Sequence, residues 1–201
     1  MTQRKHWVLA TGNRGKIAEL TRLFADAGLD LRVTPQSELG VEAPPENGAT
    51  FVENALTKAR HAARITGMPA IADDSGLVVP ALGGAPGVRS ARFAGDTADD
   101  DANIAKLLAA LDAPSLDRAA RFHCVLVALE HTDDPAPLLA TGSWAGHIAR
   151  ARQGTGGFGY DPVFFDARLG RTAAELDAAA KNRVSHRGEA LRRLIELLKN
   201  R

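Results

Sequence analysis

Apolar residues recur along this chain at two spacings, and the switches between them mark out its elements. His6 to Ala10 is a compact apolar run that predicts a strand. After the turn-rich Thr11-Gly12-Asn13-Arg14-Gly15-Lys16, residues Ile17, Leu20, Leu23 and Phe24 recur at helical spacing. Leu31 to Thr34 predicts a second strand, and Glu42 to Gly48, rich in Pro and Gly, a loop. Thr50 and Glu53 fit a capping box, which satisfies two orphan N–H groups and starts a helix running to about Ile65. The run Pro69-Ala70-Ile71-Ala72 predicts a buried strand that stops at Asp73-Asp74 and the turn-forming Ser75-Gly76, with strand resuming over Leu77 to Val79. Gly83 to Gly87 is a loop of unread purpose. Thr97 is placed as the cap of a helix with an acidic first turn, Asp99 to Asp101, and an apolar face of Ile104, Leu107, Leu108 and Leu111, which makes those acids caps rather than catalysts. Arg121 to Glu130 and Leu138 to Ser143 read as a strand pair, with Trp144 to Arg150 extending it. Ser185 caps a last helix whose Leu191, Leu194, Ile195 and Leu198 fall at core spacing.

Composition narrows the function classes. The 201 residues suit one domain, 1–201, with a core of proper size, and 45% hydrophobic content is ordinary for a soluble protein. With 25 basic and 24 acidic residues the net charge is +1, which disfavours a long polyanion as partner but leaves room for a local basic groove. Cys124, the single cysteine, lies in a strand and reads as a buried inert thiol, so no disulfide framework exists. The apolar run from Trp7 is too short for a signal peptide or a membrane span, and a cytoplasmic protein is expected.

Five places carry candidate chemistry. Asp73 and Asp74 stand at a strand end, where α/β sheets open into ligand crevices; metal binding or general-base work is one reading, an Asx-turn finishing the strand the other. Adjacent strand side chains point to opposite faces, so the pair cannot chelate one ion together and one acid must be chosen. Thr11 to Lys16 joins a strand to a helix with two glycines, a hydroxyl, an amide and a lysine, which suits phosphate, although it fails the Walker pattern and also reads as a plain connection with a solvated lysine. Glu46, in its Pro/Gly loop, is either an exposed surface acid or, with Asp73 or Asp74, a source of the hard oxygen ligands Mg²⁺ prefers. Gly154 to Pro162 is glycine-dense and holds Phe158, Tyr160 and Asp161, either to stack and read a flat ring or as a tight turn with both aromatics in the core. Lys181-Asn182-Arg183-Val184-Ser185-His186-Arg187 is read as a basic cluster at a helix N-terminus, against the dipole, which calls for an anion unless the turn is simply solvated. His61, His123, His131 and His147 lack metal-ligand spacing.

Together TGNRGK, Glu46-Asn47-Gly48 with TFVENA, IADDSGL, GGAPGVRSAR, GTGGFGYDPVF and KNRVSHRGEAL resemble the Ham1/RdgB family of non-standard purine nucleoside triphosphate pyrophosphatases, in order over nearly the whole chain. The resemblance implies an α/β fold with an elongated mixed central sheet flanked by helices, two lobes around a deep substrate groove, and a homodimer. It implies Mg²⁺-dependent hydrolysis of ITP, dITP and XTP to the monophosphate and pyrophosphate, clearing them from the nucleotide pool. Carried onto this sequence, Thr11, Gly12, Asn13, Arg14, Gly15 and Lys16 contact the triphosphate; Asp74 is the proton acceptor and a metal ligand; and Glu46 is a further ligand. Ser75, Phe158, Gly159, Tyr160, Asp161, Lys181, His186 and Arg187 bind substrate. Two competing classes are a non-catalytic nucleotide-binding module, which has no need of a positioned base, and a nucleic-acid binder, which the balanced charge disfavours.

Overall fold

The computed structural model describes residues 5–27 and 31–201, among which seven strands and five α-helices are found. In chain order they are β1 (Lys5–Ala10), α1 (Arg14–Asp26), β2 (Leu31–Pro35), α2 (Phe51–Thr66), β3 (Ala70–Val78), α3 (Asp100–Ala110), β4 (Ala119–Leu129), β5 (Leu138–Ile148), β6 (Phe164–Asp166), β7 (Arg171–Thr172), α4 (Ala178–Val184) and α5 (His186–Lys199). The strands form one mixed sheet in the order β2-β1-β3-β4-β5-β6-β7. β1 runs parallel to β2 and β3, with Trp7 opposite Val33 and Val8 opposite Ala70, whereas β6 is antiparallel to β5 and β7. The fold is α/β with a mixed sheet, as the family resemblance implies.

β3 departs from expectation. It does not stop at Ala72 but continues through Asp73, Asp74, Ser75 and Gly76 to Val78, so the two acids stand inside a strand and neither ends it nor forms an Asx-turn. Gly76 serves a close approach rather than a turn: a Cβ there would lie 2.4 Å from Ser90 Oγ and 2.5 Å from the Gly87 carbonyl oxygen. Ser90 Oγ accepts the Leu77 N–H at 2.9 Å and donates to the Gly87 oxygen at 2.6 Å, which fastens the segment after the Gly83 to Gly87 loop onto the strand.

The cap of α3 and the placement of the Lys181 cluster also differ, while the last helix starts after Ser185 as expected. α3 is capped by Asp99, whose carboxylate accepts the Ala102 N–H at 2.8 Å, and not by Thr97; both residue types cap well, so the sequence alone does not choose. Lys181 to Arg187 is not a single helix N-terminus. α4 ends at Val184, Ser185 is extended (φ −73°, ψ 154°), and α5 begins at His186. Lys181 and Arg183 therefore occupy a last turn, where the dipole favours cations, and only His186 and Arg187 open a helix.

The chain divides into two compact units, one of residues 1–74, 124–142 and 187–201, the other of 75–123 and 143–186. In the first unit the pleat sorts the core by parity. Trp7, Leu9, Ile71, Cys124 and Leu126 pack with Leu20 and Phe24 of α1 and Leu191 and Leu194 of α5. Val8, Ala10, Ala70, Ala72, Val125 and Val127 pack with Ala55, Ala59, Ala62 and Ala63 of α2. Strand side chains alternate, so Asp73 continues the α1/α5 face after Ile71 and Asp74 the α2 face after Ala72. The second unit has its own core, in which Leu77 and Val79 meet Ile104, Leu107 and Leu111 of α3 and the rings of Phe122, Trp144 and Phe164. The Trp144 indole donates to Asp166 Oδ2 at 2.7 Å, which satisfies a buried polar group on each partner.

Candidate active site

On the Asp74 face the site is built by α2. The predicted capping box is present: Thr50 Oγ1 accepts the Glu53 N–H at 3.2 Å and Glu53 Oε2 accepts the Thr50 N–H at 2.8 Å. With the helix start fixed, Asn54 and Lys58, one turn apart beside the alanine stripe, are both buried. Asn54 Nδ2 donates to Asp74 Oδ2 at 3.2 Å while its Oδ1 accepts the Gly48 N–H at 2.8 Å, so one amide ties the Glu46 loop to the strand. Lys58 Nζ lies 3.1 Å from Asp74 Oδ1 and 2.9 Å from Glu46 Oε1. Burial pushes the Asp74 carboxyl up, and although Lys58 and Lys16 oppose this, it stays above the usual carboxylate range. Burial works against the Lys58 charge too, but Asp74, Glu46 and Asp73 outweigh it and hold the ammonium above its ordinary value. A buried carboxylate with a raised pKa is suited to accepting a proton.

On the other face Asp73 is fully buried among cations. Lys16 Nζ lies 2.6 Å from Oδ1, Arg187 Nε 3.5 Å from Oδ2, and the Cys124 thiol donates to Oδ2 at 3.2 Å. Arg187 also pairs with Glu19 of α1. Burial opposes ionisation of Asp73, yet Lys16 and Arg187, with Lys58 behind them, hold it well below the usual carboxylate range. The same burial, with Asp73 adjacent, pushes the Cys124 thiol up, consistent with an inert side chain.

An anion-favouring helix start of the kind expected near Lys181 is found at α1. Its first turn has no acid and carries Arg14 and Lys16 at the positive end of the helix dipole. Asn13 Oδ1 accepts the Lys16 N–H at 3.0 Å, and Thr11 Oγ1 accepts the Asn13 N–H at 3.3 Å. Thr11 is buried while Gly12, Asn13 and Arg14 are exposed, which leaves an exposed loop at a helix N-terminus, the usual seat of a phosphate.

In the second unit Asp161 Oδ2 accepts the Phe158 N–H at 2.9 Å and pairs with Lys181 Nζ at 2.5 Å, and that ammonium stands 4.9 Å from the Phe158 ring centroid. The two aromatics of the loop divide their work. Phe158 is half-buried, whereas Tyr160 fills the core and its hydroxyl donates to the Ser90 carbonyl at 2.9 Å. His186 is buried and stacks on Phe122 at 4.7 Å. The acids of α3 hold the loop: Asp100 Oδ2 accepts the Gly159 N–H at 2.7 Å, and Asp101 pairs with Arg152. Gly157 has φ +75°, and a Cβ there would lie 2.0 Å from Asp161 Oδ2. Gly157→Ala is therefore expected to cost about 1–3 kcal/mol as the Asp161–Lys181 pair is displaced. Thermal melts check this, and an unchanged melting temperature would mean that the loop gives way without cost.

Residues 7–197 match the family model for the Ham1 family. The chain belongs to the Ham1 family. This Ham1 chain is 58% identical over 194 residues to the dITP/XTP pyrophosphatase of Shigella flexneri, covering 96% of the chain and 98% of that protein. Among solved structures, a HAM1 protein from Coxiella burnetii matches with a TM-score of 0.90 at 50% identity, over 98% of this chain and 100% of that one. The Staphylococcus aureus Ham1 protein matches with a TM-score of 0.85 at 40% identity, over 98% and 99%.

The Ham1 geometry brings Asp74 and Glu46 to one point, gathers Lys16 and Arg187 on Asp73, and joins Phe158, Asp161 and Lys181. Sequence reasoning missed Lys58 and Asn54, which link the two acids. Their signal was a polar pair four residues apart beside an alanine stripe. Among the described residues no group of three or more His, Cys, Asp or Glu side chains is placed to hold a metal, and no helix is long and apolar enough to cross a membrane.

Proposed function

We propose that this Ham1 chain hydrolyses the non-standard purine nucleoside triphosphates ITP, dITP and XTP to the monophosphate and pyrophosphate with Mg²⁺ as cofactor, before they enter DNA or RNA. The observation that carries the reading is Asp74, a buried carboxylate held above its ordinary pKa by that burial and gripped by Asn54 and Lys58. It stands in a chain 58% identical to a dITP/XTP pyrophosphatase.

Water attacking the α-phosphorus loses a proton as the new O–P bond forms, and Asp74 accepts it. The bond to the bridging oxygen breaks, and pyrophosphate departs with the bonding pair. Thr11 to Lys16 hold the triphosphate through loop N–H groups and the Arg14 and Lys16 charges, which support the charge on the leaving group. The donor set fits Mg²⁺: a single ammonium lies within hydrogen-bond distance of both Asp74 and Glu46, so the two carboxylates already converge on one cation. Mg²⁺ commonly takes one or two carboxylates and completes its shell with water and phosphate oxygens. Bound by Asp74 and Glu46, it would neutralise charge on the phosphate oxygens.

For the base, Phe158 offers a ring face beside Lys181, and Ser75, Gly159, Tyr160 and Asp161 complete the substrate set. A 6-oxo purine presents an acceptor where adenine presents an amino donor, so N–H donors such as His186, Arg187 and loop amides favour the former. The reading includes a cytoplasmic homodimer with neither nucleic acid nor membrane as partner. Incubation with Mg²⁺ and ITP, dITP, XTP, ATP or GTP tests it. Pyrophosphate from the first three is expected; comparable turnover of ATP would sink the specificity, and release of single phosphates the bond assignment.

A further inference from the structure

The two carboxylates assigned above to the metal already share a cation supplied by the chain. Lys58 reaches them from α2 with its side chain only 5% exposed, and its Nζ lies 2.9 Å from Glu46 Oε1 and 3.1 Å from Asp74 Oδ1. The other Asp74 oxygen is taken by Asn54. Two acids held at one point repel, and an ammonium between them removes that repulsion. A divalent ion brought to the same two oxygens repels the ammonium already held there, so the two cations compete for them.

We propose that Lys58 is an internal counter-cation, which holds Asp74 and Glu46 together in the metal-free protein and yields their oxygens when the divalent ion binds, so that its displacement sets the metal affinity. The proposal rests on the metal site of the preceding subsection and goes beyond it. Displacing Lys58 weakens metal binding in the absence of nucleotide, because a buried ammonium loses both its partners. A triphosphate supplies new negative charge for it, so metal and nucleotide bind more tightly together than separately.

Mn²⁺ titration without nucleotide, followed by the spin-resonance signal of the free ion, tests this on the full chain. Lys58→Gln is expected to bind Mn²⁺ about tenfold more tightly than the parent, the order of effect of removing one adjacent, partly screened charge. Lys58→Met serves in its place if the glutamine variant melts too low to titrate, and Lys58→Arg, which keeps the charge, should bind no more tightly than the parent. Equal or weaker binding by both neutral variants would make Lys58 a strut that shapes the site, and would overturn the proposal. A separate outcome tells against the underlying metal site: adding Glu46→Gln to Lys58→Gln should abolish the gain. Tight binding that survives this change, or no binding by any of these proteins, means that the ion is not held by Asp74 and Glu46.

Discussion

Asp74→Asn is expected to fold as the parent does and to lose about 100- to 10,000-fold in kcat on ITP, the range that a positioned general base contributes. The substitution keeps the shape and removes the proposed proton acceptor. Glu46 still faces the buried Lys58 ammonium, and the asparagine amide oxygen can stand where Asp74 Oδ1 stood, so the melting temperature should stay close to the parent's. The pH profile carries a second signature. The basic form of Asp74 accumulates as pH rises through its raised pKa, so parent activity climbs over that range and the asparagine variant has no such limb. Full activity in the variant would remove Asp74 as the base.

The neighbouring acid should behave in the opposite way. Asp73→Asn is expected to lose about 3–5 kcal/mol of stability, because it takes the Asp73 carboxylate away from the buried Arg187 guanidinium. Urea denaturation of parent and variant at neutral pH measures this, and a difference under about 1 kcal/mol would mean that the network relaxes around the loss. Acid gives the sign check. The folded-state pKa of Asp73 is depressed, since Lys16 and Arg187 outweigh its burial. Its stabilisation is therefore complete above the unfolded value of about 3.9 and is lost as pH falls toward the folded one. The parent should lose this component below about pH 4, and the variant should lack it at every pH.

The strand period was enough to separate these two acids in the sequence, since residues next to each other in a strand face opposite ways. What each would meet was not legible, because Lys16, Cys124 and Arg187 reach Asp73 from distant segments. The true length of β3 was hidden for a related reason. Pattern reading treats a polar run as solvent-facing, but Asp73 and Asp74 each have buried partners and the strand continues through them. Asn54 and Lys58 were passed over on the same assumption, applied at helical spacing. The capping box at Thr50, by contrast, is local chemistry and was read correctly residue by residue. The last helix does start after Ser185, but nothing in the sequence before it marked a separate helix α4 ending at Val184, so Lys181 was assigned to the wrong end of a helix.

The two compact units are interleaved along the chain, with changeovers at Asp74–Ser75, His123–Cys124, Gly142–Ser143 and His186–Arg187. During synthesis the first 74 residues, with Asp73 and Asp74 at their end, leave the ribosome long before Arg187 to Arg201, the segment that completes their unit. Until that segment emerges, Asp73 lacks Arg187, and Leu191 and Leu194 are missing from the face it shares with α1. The first unit to be started is thus the last to close. Neither unit is a continuous stretch that could be cut out or grafted by itself.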